Sequence, residues 1–127
     1  MRKSRWAGGL IVIALAAAGL HADEALPGIR FYIINSKGQQ DKVSLAFATD
    51  KPGCHNLVPA RTILRVAQVD FAYCTVHGEA DCRTTSTVPA RWKGAAAPVE
   101  KLTPGGRWML PGASGSKIAS WYCAPRE

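Results

Sequence analysis

The chain has no hydrophobic run long enough to cross a membrane as a helix. Its longest uncharged apolar stretch, residues 7–20, has 14 residues, against roughly 20 for a spanning helix, so no transmembrane anchor is expected. It has no Cys-x-x-Cys pair, which leaves thiolate zinc sites without their usual spacing. It has neither a Gly-x-Ser-x-Gly elbow nor a phosphate-cradling glycine loop, because Gly112-Ala113-Ser114-Gly115 lacks a strand-to-helix setting. Acidic residues are few, 9 against 16 Lys and Arg. Asp70, Glu79, Asp81 and Glu100 show no spacing that predicts the paired carboxylates of glycoside hydrolysis. Helix signals are missing beyond residue 22: the one alanine-rich stretch, 94–98, is short and ends at Pro98, which cannot continue a helix.

What is present begins at the N-terminus. Arg2, Lys3 and Arg5 precede the apolar run, and Ala22 precedes Asp23-Glu24, the pattern of a secretory signal peptide over residues 1–22. A cut after Gly19 is the rival, because Leu20 is bulky for a position two before the cut. No cysteine lies near the end of the run, so a lipid-modified terminus has no attachment point. Cleavage after residue 22 leaves one domain, 23–127. It removes three cations and no acid, so the formal charge falls from the full chain's +7 to +4. That balance favours contact with anionic surfaces and does not demand nucleic acid, from which an exported chain is separated.

Export decides how Cys54, Cys74, Cys82 and Cys123 are read. An even number of cysteines in a small exported domain points to disulfides, with three pairings possible. Periplasm or extracellular space is the expected location.

The mature chain reads as short strands broken by Gly, Pro, Asn and Ser. Strands are expected at 28–34, 42–48, 62–67, 71–77, 87–92, 107–110 and 117–123, with turns at 35–38, 50–53 and 77–81 and loops at 94–100 and 111–116. In the second of these, Val43, Leu45 and Phe47 share a face by simple alternation. The phase slips near Gln68, which requires a bulge or turn there. About seven or eight strands in one disulfide-linked domain imply an all-β sandwich or small barrel of Greek-key type.

Residues 43–123 hint at two related halves, each with a strand, a turn, a cysteine and a closing strand. The second half, Cys74-Thr75-Val76-His77-Gly78-Glu79-Ala80-Asp81-Cys82 followed by 102–108 and Lys117-Ile118-Ala119-Ser120-Trp121, resembles a Greek-key unit of the βγ-crystallin superfamily. That superfamily includes small exported microbial hydrolase inhibitors and toxin-like proteins. The resemblance implies no calcium site, since Gly115-Ser116-Lys117-Ile118-Ala119-Ser120 lacks the family's acidic positions and first hydroxyl, and calcium needs several oxygen ligands.

Cys54-His55-Asn56 contains the residue types of a thiol protease, but neighbours on an extended chain point to opposite faces. No catalytic residue, metal site or cofactor is therefore expected. His77, Asp81, Cys82, Cys54 and His55 have no metal spacing, and 77–81 reads as a solvated loop. Trp108 and Trp121 read as core residues. Trp92, between Arg91 and Lys93, is the best exposed aromatic contact. The expected function is binding, without enzymatic activity. One form is inhibition of a hydrolase by a rigid turn, with Lys51, His55 and Asn56 as contacts. The alternative is a toxin or antimicrobial protein that acts on anionic cell-surface components through Arg91, Trp92 and Lys93. A small extracytoplasmic hydrolase is the third reading.

Overall fold

The structure is a computed structural model, and it describes residues 28–34, 43–95 and 97–126. The expected signal peptide and the turn at 35–38 lie outside the described residues. The described residues form eight strands: β1 (Gly28–Ile34), β2 (Val43–Thr49), β3 (Gly53–Ile63), β4 (Arg65–Val69), β5 (Tyr73–His77), β6 (Arg91–Trp92), β7 (Gly105–Met109) and β8 (Ser116–Ala124). They build a five-stranded sheet in the order β2-β1-β4-β7-β6 and a three-stranded sheet in the order β3-β8-β5. All the strand pairs are antiparallel. The architecture is an all-β sandwich.

Alternation explains the core. From the larger sheet, Ile29, Phe31 and Val66 are completely buried, and from the smaller sheet so are Cys74, Val76, Ile118 and Cys123. Leu102, on the connection into β7, fills the same cluster. Each such aliphatic side chain contributes roughly 1.5–3 kcal/mol when taken out of water. Trp108 and Trp121 are core residues, 7% and 2% exposed. Gln68 is buried among them without penalty. Its amide nitrogen donates to the Leu102 carbonyl at 2.8 Å, and its amide oxygen accepts from the Phe71 backbone at 3.2 Å. These bonds hold the turn between β4 and β5, where Asp70 has φ of 80°. The phase slip near Gln68 is this turn: β4 stays in regular register with β1 through Val69, and the shift opposite Val66 and Gln68 puts its extra residue on β7.

Both disulfides are present. Cys74 and Cys123 face one another across β5 and β8 and bond inside the core. Cys54 bonds Cys82. Cys54 faces Tyr122 in the β3–β8 ladder, on the side of that sheet away from the core. The second bridge therefore ties a segment over the outside of the sandwich.

Four local expectations are corrected. Residues 53–56 belong to the eleven-residue strand β3, not to a turn and loop. The strand expected at 62–67 is two strands meeting at a bend at Leu64. Regular strand in 87–92 is confined to Arg91–Trp92, with Thr87 and Ala90 making single bridges to His77 and Val99. The fourth concerns β2. Phe31 pairs with Phe47 but Tyr32 pairs with Leu45, so Ala46 is an extra residue. A bulge of this kind reverses the side-chain parity. Phe47 turns toward the core, its ring 5.3 Å from Trp121, while Leu45 and Val43 stay on the outer face with Tyr32 and Ile34.

Candidate functional site

The outer face of the five-stranded sheet follows from its register, because residues paired across a ladder share a side. Phe31 and Val66 are paired and point inward, so Tyr32 and Arg65, the next pair, point outward. Arg65 pairs with Met109, and Met109 pairs with Arg91. Alternation along β7 adds Arg107 to the same side, and the main-chain bond from Lys93 to the Arg107 carbonyl, 2.9 Å, sets Lys93 beside it. Val43 and Leu45 bring the face to its β2 edge.

Arg65, Arg91, Lys93 and Arg107 therefore share this face, to which alternation from Tyr32 also assigns the buried Arg30. Val43, Leu64, Arg65, Lys93, Arg107 and Met109 line one depression of about 330 Å³. Arg91 and Met109 line the adjoining one. Arg65 is half-buried, its guanidinium 4.0 Å above the Tyr32 ring and bonded to the Gly106 carbonyl; it is held rather than free to swing. Arg91, Lys93 and Arg107 are exposed. No strand of this sheet carries Asp or Glu. The described acids lie elsewhere: Asp50 just beyond β2, Asp70 at the β4–β5 turn in a bond with Arg126, and Glu79, Asp81 and Glu100 around the smaller sheet. The described acids thus lie off this face, while the side of the smaller sheet carries cations as well, among them Arg61, Lys101 and Lys117.

Two exposed apolar residues, Val43 and Leu45, sit at the edge of this basic face; Val58, the most exposed at 86%, lies on β3 of the other sheet. Val43 is 39% and Leu45 49% exposed, and among the described residues β2 is an edge strand. An edge with apolar side chains and open backbone groups is a place for association.

The sequence-predicted contacts fall into two groups on different sheets. Arg91 and Lys93 belong to the basic face. Trp92 does not. It pairs with Trp108 on the inner side, the two rings meeting edge to face at 5.0 Å, and its ring covers Gly105, where a Cβ would sit 2.6 Å from it. The expectation of an exposed Trp92 contact is corrected: it is half-buried against the core because its neighbours take the outward positions.

Lys51 lies just before β3, and His55 and Asn56 lie among its first residues, paired with β8. Lys51 is exposed, and its backbone N–H donates to the Thr49 hydroxyl at 3.3 Å. His55 bonds the Pro52 carbonyl through Nε2 at 2.8 Å and lies 5.4 Å from the Trp121 ring. Asn56 makes a reciprocal pair with Asp81, donating to its carboxylate at 3.1 Å and accepting from its backbone N–H at 2.7 Å. With Cys54–Cys82 beside them, these contacts brace the start of β3.

The sequence places His77 at the start of a solvated loop. It is instead the last residue of β5 and is 2% exposed, because residues 79–87 fold over the outside of the smaller sheet. Two short 3-10 turns, Ala80–Cys82 and Thr84–Ser86, shape that segment. Ser120 anchors it: its hydroxyl donates to the Glu79 carbonyl at 2.6 Å and accepts from the Cys82 backbone at 2.9 Å. Among the described residues no group of His, Cys, Asp and Glu has the arrangement to hold a metal ion, and no helix is long and apolar enough to cross a membrane.

No protein-family model, no curated protein and no solved structure matches the chain.

The basic face was only partly legible in the sequence. Arg91 and Lys93 stood out beside a tryptophan. Arg65 and Arg107 lie far from them in the chain, and only the β4-β7-β6 pairing brings the four together.

Proposed function

We propose that this protein is an exported binding protein that docks on anionic lipid headgroups through the outer face of its five-stranded sheet. The observation that carries the reading is the gathering of Arg65, Arg91, Lys93 and Arg107 on a sheet whose strands hold no acid. Arginine pairs with phosphate in a bidentate manner, and Val43 and Leu45 supply an apolar margin suited to the headgroup boundary. Each cation near an anionic membrane contributes about 1 kcal/mol, within a Debye length of roughly 10 Å. The three exposed cations together then contribute about 3 kcal/mol, roughly a 100-fold gain in partitioning. Location outside the cytoplasm belongs to the same proposal. It is supported by two disulfides, which persist in oxidising compartments, and by the N-terminal pattern of the sequence. The relationship to βγ-crystallins is likewise a proposal, and it predicts no calcium binding at 115–120.

The test is co-sedimentation of the purified mature chain with phosphatidylcholine vesicles, with and without phosphatidylglycerol, at low and high salt. Binding is expected only with the anionic lipid and is lost as salt rises. The triple variant R91S/K93S/R107S, checked for an unchanged melting curve, is expected to bind about 100-fold more weakly. Equal binding to neutral vesicles, or undiminished binding by the variant, would overturn the proposal.

A second reading, inhibition of a hydrolase, is favoured by the bracing of residues 50–56. A segment already held in shape loses little entropy on entering a cleft. Stoichiometric loss of activity of a purified glycosidase or peptidase, relieved by Lys51→Ala, is the result that supports it; no inhibition across such a panel would refute it.

A further inference from the structure

On the opposite side of the sandwich, away from the basic face, the structure holds a cleft of about 360 Å³ between the smaller sheet and the segment that covers it. It is lined by Tyr73, Thr75, His77 and Tyr122 from the strands, by Thr84 and Thr87 from the cover, and by Glu100 and Lys101 from the connection into β7. Thr75 and Tyr122 are a cross-strand pair. Cys74, Cys123 and Val76 point the other way into the core, so the row of Tyr73, Thr75 and His77 faces the cleft.

The hydrogen bonds of His77 determine its tautomer. Nδ1 lies 2.9 Å from the Arg83 carbonyl oxygen, which only accepts, so Nδ1 carries a proton. Thr87 Oγ1, 3.2 Å from the same nitrogen, donates its own proton to the Thr84 carbonyl at 2.9 Å and is a second acceptor for Nδ1–H. In the neutral ring Nε2 is then the lone-pair nitrogen, and Thr75 Oγ1, 2.8 Å away, donates to it. Burial lowers the pKa of His77 below its ordinary value, against the opposing pull of the bond to Arg83 and of the Glu100 charge. The ring is therefore neutral at physiological pH.

A hydroxyl hydrogen-bonded to a neutral imidazole, itself oriented through its second nitrogen, is the arrangement that activates an oxygen nucleophile. We infer that Thr75 is a nucleophile for acyl groups, with His77 as its base, and that the cleft accepts small uncharged esters. In the first step Thr75 Oγ1 bonds to the ester carbonyl carbon while its proton passes to His77 Nε2, and the carbonyl π electrons move to oxygen. When that oxygen re-forms the carbonyl, the bond to the alcohol oxygen breaks and the leaving alkoxide takes the proton from Nε2. Water then attacks the threonyl ester with His77 again receiving a proton, and the acid departs as Thr75 Oγ1 recovers its hydrogen. The net change is ester plus water to acid plus alcohol. The Lys101 ammonium, 4.7 Å from the Tyr73 ring centroid, is the cation lining the cleft and favours the transient oxyanion. Arg83, through its carbonyl, and Thr87 are positioning residues. The inference is independent of the docking proposal, whose cations lie on the other sheet.

The test uses p-nitrophenyl acetate and the mature, disulfide-intact chain. Release of p-nitrophenolate is expected, with an acetyl group found by peptide mass mapping on Thr75. Thr75→Val, which keeps the shape and removes the hydroxyl, is expected to lose about 100-fold in rate and the adduct, and His77→Gln a similar factor; Thr75→Ser retains both. The rate rises with pH as His77 loses its proton and levels off near neutrality. Glu100, Lys101, Tyr73 and Tyr122 are the other titrating groups facing the cleft. No acetyl group on Thr75 in the unmodified protein, or unchanged turnover in Thr75→Val, would overturn the inference.

Discussion

Replacing Ser120 by alanine tests how the covering segment is held to the smaller sheet. The Ser120 side chain is completely buried, and its oxygen serves two backbone groups 38 and 41 residues away in sequence, Cys82 N–H and Glu79 C=O. Alanine removes one atom and leaves both groups without that partner. An unpartnered buried polar group costs about 1–3 kcal/mol. Glu79 is exposed and Cys82 half-buried, so water reaches part of the site and the combined loss is about 2 kcal/mol. For a domain of this size 1 kcal/mol shifts the melting temperature by about 4–8 °C, giving a fall of about 8–16 °C. The control is Ser86→Ala. Its hydroxyl accepts from the Glu79 backbone and donates to the Arg83 carbonyl, both in exposed settings, and its loss costs about 0.5 kcal/mol or less. Urea unfolding of the two variants, followed by tryptophan fluorescence, measures the difference. If Ser120→Ala is no more destabilising than Ser86→Ala, the clamp is not held by that hydroxyl and the reasoning fails.

Two further outcomes follow from the same side of the molecule. Changing Cys54 and Cys82 together to serine releases a loop with a sequence separation of 28. Chain entropy puts the cost at about 3.5 kcal/mol, and a shift in the urea midpoint corresponding to less than 1 kcal/mol would show that the other contacts hold the segment alone. Stability is also expected to depend on pH through His77. Its folded pKa lies below the ordinary value of 6.5, so the unfolded chain takes up the proton first. Stability is complete above pH 6.5, falls as pH drops from there to the lowered folded value, and is then level in this term. The dependence is expected to disappear in His77→Gln, and a pH profile identical in the two proteins would refute the assignment.

Much of the fold was legible because strands write themselves into alternation and turns into Gly, Pro and Asn. The expected 28–34, 42–48 and 117–123 segments correspond closely to β1, β2 and β8. The failures have physical causes. β3 begins with polar Cys54-His55-Asn56 and contains Pro59, so its pattern looks like a loop, although its main chain pairs with β8 at both ends. The bulge at Ala46 turns Phe47 inward, and single-strand alternation has no means of showing an extra residue that exists only relative to a partner strand. His77 looked solvated because its neighbours are Gly, Glu and Asp, and the burial comes from residues 79–87 folding back over it.

The sequence by itself determined the class of the protein: short half-apolar strands, an even set of cysteines and an excess of basic over acidic residues are local or additive properties. Only the tertiary structure decided which cysteines bond, that Arg65, Arg91, Lys93 and Arg107 share one face of a sheet whose strands carry no acid, and that Thr75, His77 and Arg83 form a chain of hydrogen bonds at a cleft. Those are facts about distance in space, set by strand pairing and register, and a one-residue slip in any ladder would turn the same side chains to the opposite side.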